Sequence, residues 1–464
     1  MKTILFALSL LINPSLTYAD LNLELPDLDL PVISGNLNSF GVSTLEEQKG
    51  LKILRKLRSS NQIIEDPEIN LWIRSLGNAL TAAAPRSSAP FYFLVSKDLS
   101  INAFATRGGV IVINAGLILH TSNESELAAV IAHEIAHITQ RHIERMIEKA
   151  NNNKFATNAA LLAGIIASSK DPQAGQAIIS TSIATMAHQQ LSFSRAAEAE
   201  ADRVGLRILA RAHYNPKAMP AFLAKLEQFG NDNNADILEY VQNHPLTLKR
   251  ITDTQSRAMQ LNTHSGKETT HYFYMREKIR VASNSNQPIP ANIPIRIQKY
   301  VKALKLKQHG NYQSALGLIG SQSKNKSESI LIAQLFNKVH RYKQSINLLS
   351  TLTNIYPNDM TLSIPLVHSL MATNQYEKAW KIISDIDISE QTSLEYFEIL
   401  QTVAQSTQRT SYAYHSVANK NIRTGDYKSA SIQLRHAIKL SNSNHHSLEM
   451  QRRLTEIKNL IKSH

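Results

Sequence analysis

His133-Glu134-Ile135-Ala136-His137 constrains this chain more than any other segment. Residues four apart lie on one face of an α-helix, so His133 and His137 can close on a single cation, with Glu134 one step round beside them. This is the spacing of a zinc hydrolase helix, with two imidazole ligands and a carboxylate placed to take a proton from water. The chemistry implied is peptide-bond hydrolysis with one zinc ion per chain. The helix carries its own start signal: Asn123 with Glu126 makes a capping box, and Leu127, Val130, Ile131 and Ile138 follow at helical spacing. Its expected end is the Asn151-Asn152-Asn153 run.

At 464 residues the chain is long for one core, and roughly one domain per 150 residues leads us to expect two or three. Lys2, an apolar run from Ile4 to Ile12 and the triplet Thr17-Tyr18-Ala19 read as an export signal cleaved after Ala19. The apolar run is shorter than the ~20 residues that span a bilayer. Without a single Cys there is neither a disulfide nor a lipid-bearing residue after the signal, so the expectation is a soluble, exported chain held by its core and its metal. A formal net charge of +13 suits an acidic partner or anionic lipid headgroups, although most Lys and Arg read as solvated helix faces. Export argues against nucleic acid.

Ser43 with Glu46 caps a helix to about Ser59, and Asp66-Pro67 starts another. Phe91 to Val95 and Val110 to Ile113 read as strands. Residues 155–168 and 177–187 are apolar but too short to span a membrane. They read as buried helices, or as a hairpin that covers the active site or touches a membrane surface. Arg195 to Ala212 reads as a helix, and Asn215-Pro216 begins the next. Residues 284–295, rich in Pro, Asn and Gln, divide a domain at 20–283 from one at 296–464. In the second, Tyr312, Tyr342 and Tyr376 fall 30 and 34 residues apart, near the period of tetratricopeptide repeats. The next such tyrosine, Tyr427, comes only after 51 residues, so one unit is degenerate or padded. Stacked helix pairs make a concave binding surface, the default role of this region.

Catalytic zinc usually takes three protein ligands, so a third must come from elsewhere in the chain. Glu198 and Asp202 share a helix face: Glu198 suits a ligand, and Asp202 suits an acceptor for the ring N–H of a ligating His or a helper in proton transfer. H-E-x-x-H followed by Glu198-Ala199-Glu200-Ala201-Asp202 resembles the gluzincin peptidases related to HtpX and the CAAX prenyl protease. That resemblance implies Glu198 as the acidic ligand. It also implies that Asn102, Ala103 and Phe104 lie on an edge strand that pairs with substrate as an added β-strand. Arg107 stands where many members have Pro, which leaves the loop shape open. His244, in a His-Pro element similar to the family's, is expected near the metal, as a fourth ligand or as a donor to the oxyanion. His142, five residues past His137, is expected to face away and is given no role. His120, His188 and His213 read as surface or helix-end residues.

The expected fold is α+β and mostly helical: a zinc metallopeptidase domain with a small sheet, then a helical repeat solenoid. The arrangement resembles the exported, repeat-bearing members of the family. This implies a periplasmic endopeptidase with a chaperone-like role in the quality control and assembly of outer-membrane β-barrel proteins. It implies stalled barrel or lipopolysaccharide-assembly components as substrates, and contact with the barrel-assembly machinery through the repeats. The alternative is an adaptor whose zinc is structural or regulatory. A membrane-embedded prenyl-peptide protease is disfavoured, since no segment is long enough to span.

Overall fold

The computed structural model describes residues 45–87, 90–148, 194–231, 240, 243–261, 270–290, 293–389 and 392–462. The export signal, Ser43, the apolar segments 155–168 and 177–187, His188 and the Asn151–Asn153 run lie outside them. Helix α1 spans Leu45–Ser59 and α2 spans Pro67–Ala82. The Asp66 carboxylate accepts the N–H groups of Glu68 (3.0 Å) and Ile69 (3.1 Å), and Pro67 takes the first helical position, where an N–H has no partner to lose.

Strands β1 (Tyr92–Ser96), β2 (Ala103–Ala105) and β3 (Val110–Asn114) form a sheet in the order β1-β3-β2, with β1 parallel and β2 antiparallel to β3. Phe93, Val95, Ile111 and Ile113 point into the main core, whereas Tyr92, Leu94, Val110 and Val112 meet Leu54 and Leu57 of α1. Both faces of β1 and β3 are therefore covered, which is why they read as unbroken apolar runs. The β2–β3 turn crosses α1 in backbone contact. A Cβ on Gly108, which has φ +78°, would lie 2.2 Å from the Gly50 nitrogen, so glycine is required there. Arg107 in the same loop reaches Glu46 at 3.5 Å.

Helix α3 (Ala115–His120) leads into α4 (Glu124–Thr139). Asn123 accepts the Glu126 N–H at 2.9 Å, and Glu126 reaches back to the Ser122 N–H at 2.8 Å, one residue before the cap. Every residue from Glu124 to Ala136 is buried, so α4 is the central helix of the domain. It does not run to the asparagines. Gln140 caps it, Arg141 turns to φ +54°, and residues 142–148 form a separate helical stretch. No Gly or Pro marks this break in the sequence. Helices α5 (residues 194–211), α6 (Ala218–Asn231), α7 (Leu248–Met259) and α8 (Thr270–Ala282) complete this part of the molecule. His120 closes α3 and His213 lies exposed after α5.

No helix or strand is assigned to the described residues between Ala282 and Ile295, yet the hydrophobic core runs on: Ile293, Ile297, Tyr300 and Phe336 belong to the same cluster as the sheet. Beyond lie helical hairpins. Their turns hold Gly310, His340, Asn374, Gln408 and Gly425 at positive φ. At each turn the next residue's N–H returns to the carbonyl five back, as in Asn311 to Leu306 (2.9 Å) and Arg409 to Ala404 (2.8 Å). These turns fall 30, 34, 34 and 17 residues apart. The 51-residue interval is thus one full unit, with Thr410 in the tyrosine position and Ala413 keeping the small residue, followed by half a unit. Helix Thr410–Arg423 packs against both Leu394–Ser406 and Tyr427–Lys439. The hairpins curve back to the first domain: Arg55 of α1 bonds the Tyr427 hydroxyl at 2.5 Å and Arg74 of α2 bonds Ser389 at 3.1 Å. No described helix is long and apolar enough to cross a membrane.

A pH response is expected where helix Thr410–Arg423 meets the last helix, Asn444–Lys462. The His415 ring lies 4.9 Å from that of His446, and burial, then the charges of His446 and Arg453, push His415 down to about 4. A folded value below the ordinary 6.5 means that the unfolded chain binds more protons. The stability is complete above pH 6.5 and declines as pH falls towards 4, by up to about 3 kcal/mol. Melting curves at pH 7.5 and 4.5 should show the loss, and His415→Gln should shrink the difference.

Candidate active site

Four side chains converge on one point. Helix α4 supplies His133 and His137 from its last turns, α5 supplies Glu198, and the segment before α7 supplies His244. His133 Nε2 lies 3.0 Å from His137 Nε2, 3.3 Å from His244 Nδ1 and 3.2 Å from Glu198 Oε2. Glu198 Oε1 stands 3.3 Å from His137 Nε2 and 3.2 Å from His244 Nδ1. A cation with metal–ligand bonds of about 2.0 Å holds tetrahedral ligands about 3.3 Å apart, so these separations fit a bound metal ion. His133, Glu198 and His244 are buried, and His137 is only partly exposed.

Partners behind the cluster fix its orientation. His133 Nδ1 donates to Asp202 Oδ1 at 3.1 Å, so that Nε2 is the nitrogen that faces the cluster and would give up its proton to a cation. Of the two roles open to Asp202, this contact is that of an orienting acceptor. Arg250, at the start of α7, makes a two-pronged bond to Asp202, 2.8 Å on each oxygen, and reaches Glu198 Oε2 at 2.9 Å. Tyr240 stacks on the His244 ring at 4.8 Å. His142 does not face away. The turn at Arg141 swings it back until its Nδ1 lies 2.9 Å from His137 Nδ1, and its Nε2 reaches Glu200 at 3.1 Å. The outward-facing expectation assumed that α4 continued, and it ends two residues after His137.

Arg250, His142, Glu200 and Tyr240 were not found by sequence reasoning. The position of Arg250, six residues past His244, was the only available signal, and spacing between separate elements carries no geometry.

Glu134 is buried beside the cluster. Its carboxylate accepts the Ala105 N–H, and Oε1 lies 3.5 Å from His244 Nε2 with no hydrogen-bond partner among the described residues. The register of β2 explains the first contact. Asn102 and Thr106 bond across to Asn114 and Val110, so by alternation Phe104 pairs inward too, and the outward main-chain groups belong to Ala103 and Ala105. Asn102 and Phe104 thus flank the free edge without presenting their backbone to it. Where β2 ends, a cavity of about 180 Å³ opens between Thr106, Gly108, His137 and Arg141.

Burial sets the electrostatics. It raises Glu134 above the ordinary carboxylate range and pushes His137 down to about 3. His133 would also fall, but its hydrogen bonds to Asp202 and Glu198, and their charge, outweigh burial and hold it at about 10. Glu198 and Asp202 resist the upward pull of burial and stay low, Glu198 chiefly through the charge of His244 and Asp202 chiefly through Arg250. A base with a raised pKa beside a cluster that favours positive charge can hold a cation and take a proton from water next to it.

The profile of Peptidase family M48 matches residues 67–258. The chain is 35% identical to the beta-barrel assembly-enhancing protease of Yersinia pestis over 284 residues, and 36% identical to that of Escherichia coli K12 over 244. These alignments cover 57% and 53% of this chain, and the chain spans about half the length of these relatives, 57% and 49%. It is also 31% identical over 197 residues to the mitochondrial metalloendopeptidase OMA1 of Arabidopsis thaliana, covering 42% of this chain and 37% of that protein. The stretch that resembles this family begins at α2 and ends within α7, so it encloses the sheet, α4, α5, His244 and Arg250.

Proposed function

We propose that the chain is an exported zinc metalloendopeptidase that acts on outer-membrane β-barrel proteins which fail to assemble. The observation that carries the enzymatic part is the convergence of His133, His137, Glu198 and His244, whose ligand atoms lie within 4.8 Å of one another, with the buried Glu134 Oε1, unbonded among the described residues, beside it. Three imidazoles and one carboxylate suit zinc, and a purely structural ion has no need of an adjacent base. Bound zinc supplies a Lewis acid that polarises a carbonyl and acidifies water.

The protein's own residues do the rest. Substrate pairs with Ala103 and the Ala105 carbonyl on the outer edge of β2, which brings its scissile carbonyl past Glu134. Glu134 takes the proton of the attacking water and passes it to the leaving amine. Asp202 holds the His133 ring, and Arg250 holds Asp202 and Glu198. His244, whose Nδ1 is one corner of the cluster, would hold the metal as a fourth ligand when no substrate is bound.

The name shared by the first relatives supports the substrate class, and the helical hairpins, read as tetratricopeptide repeats, support capture of unfolded or stalled chains close to the site. Periplasmic location, cleavage after Ala19 and contact with the barrel-assembly machinery belong to the same reading. Metal analysis of the purified protein should give one zinc per chain, and a chelator should remove both the zinc and cleavage of an unfolded β-barrel protein. Cleavage that survives complete zinc removal would refute the mechanism.

A further inference from the structure

The two α4 histidines are supported differently. Behind His133 stands a carboxylate, Asp202, itself held by Arg250. Behind His137 stands another imidazole. A neutral His that offers Nε2 to a metal carries its proton on Nδ1. His137 Nδ1 faces His142 Nδ1 at 2.9 Å, and one proton lies between two such nitrogens, so His137 donates and His142 accepts. The proton of His142 must then sit on Nε2, which points at Glu200 Oε2, 3.1 Å away. Arg145 fixes that same oxygen at 2.7 Å. Each bond in the row from His137 through His142 to Glu200 therefore has a determined direction. The rings of His137 and His142 meet edge to face, at 4.8 Å and 79°.

The backbone is bent to make this contact. Had α4 continued, residue 142 would lie about 140° round the helix from residue 137. Arg141 instead adopts φ +54°, the left-handed turn that also follows the helices ending before Asn61, His213 and Asn284. His142 is 4% exposed, whereas Glu200 reaches the surface, so the row links the cluster to solvent on the His137 side.

We propose that His142 is a positioning residue that fixes the tautomer and ring angle of His137, with Glu200 and Arg145 fixing His142 in turn. It thereby sets zinc affinity on the side of the site that lacks a carboxylate. The proposal rests on the metal-site reading above, and the experiment separates the two.

Zinc affinity is measured by competition with a chromogenic chelator for the parent protein and for His137→Ala, His142→Leu, His142→Asn and Glu200→Gln. His142→Leu should bind zinc roughly 10–100-fold more weakly than the parent. His142→Asn, whose side-chain oxygen can accept from His137 Nδ1, should recover most of that loss, and Glu200→Gln should fall between them. Parent affinity in His142→Leu, or equal losses in the Leu and Asn variants, would overturn the role of His142. No difference between the parent and His137→Ala would instead overturn the metal site itself. Nitrogen-15 spectra of the zinc-loaded parent need no variant: they should show His142 protonated at Nε2 and bare at Nδ1, and the opposite tautomer would overturn the proposal.

Discussion

Glu134→Gln is expected to keep its zinc and to lose peptidase activity by roughly 10²–10⁴-fold, the range assigned to a positioned general base. The amide is close in size to the carboxylate and can still accept the Ala105 N–H, so the edge strand and α4 keep their places. It cannot take a proton from water. None of the ligand atoms of the cluster belongs to Glu134, so metal content should match the parent. Stability should hold or rise. Burial already penalises the charged form of Glu134, and a neutral amide escapes that penalty, a trade of stability against activity common at active sites. Rates on an unfolded protein substrate, zinc content and melting temperature form one decisive set. An adaptor with a structural zinc would tolerate the change in a complementation test, and a variant that cleaves as fast as the parent would end the enzymatic reading.

Arg250→Met should have the largest effect on stability. The guanidinium bonds Asp202 through two nitrogens at 2.8 Å and Glu198 through a third at 2.9 Å, and all three side chains are buried. Methionine fills much of the space but leaves two carboxylates facing each other and His133 without the cation. Removing one partner from such a buried set costs about 3–5 kcal/mol, because the remaining charges stay buried without compensation. The melting temperature should drop on the order of 10 °C. Excess zinc should narrow the gap, since a cation bound beside Glu198 replaces part of the lost positive charge and stabilises only the folded form. An unchanged melting temperature in the presence of chelator would show that other groups neutralise Asp202 and Glu198.

The readable parts of this protein share one property: each depends on neighbours in the chain. The four-residue spacing of His133 and His137, the Asn123 cap, the Asp66-Pro67 start and the apolar runs of β1 and β3 are all local. The structure places them within a residue or so of where the pattern puts them. Glu198 and Asp202 stood out because their four-residue spacing on a helix again matched a ligand and its helper. Where the local pattern was interrupted, the reading slipped. The helix after His137 was carried twelve residues too far because Gln140 and Arg141 are ordinary helix residues, and nothing in their side chains announces the left-handed turn at Arg141. The 51-residue interval looked degenerate because Thr410 stands where the other hairpins have tyrosine, although the turn at Gln408 has the same backbone as its relatives.

By itself the sequence determined the helix that bears the candidate ligands, the strands beneath it and the periodic hairpins that follow. Covalent geometry imposes those periods on any chain, so spacing alone reveals them. The tertiary structure alone decided that His142 turns back onto His137, that Arg250 closes over Glu198 and Asp202, and that Ala103 and Ala105 present the free edge. Each of these depends on which buried charge or polar group meets which across separate elements. Burial makes an unmet group costly, and only the packed fold determines where its partner stands.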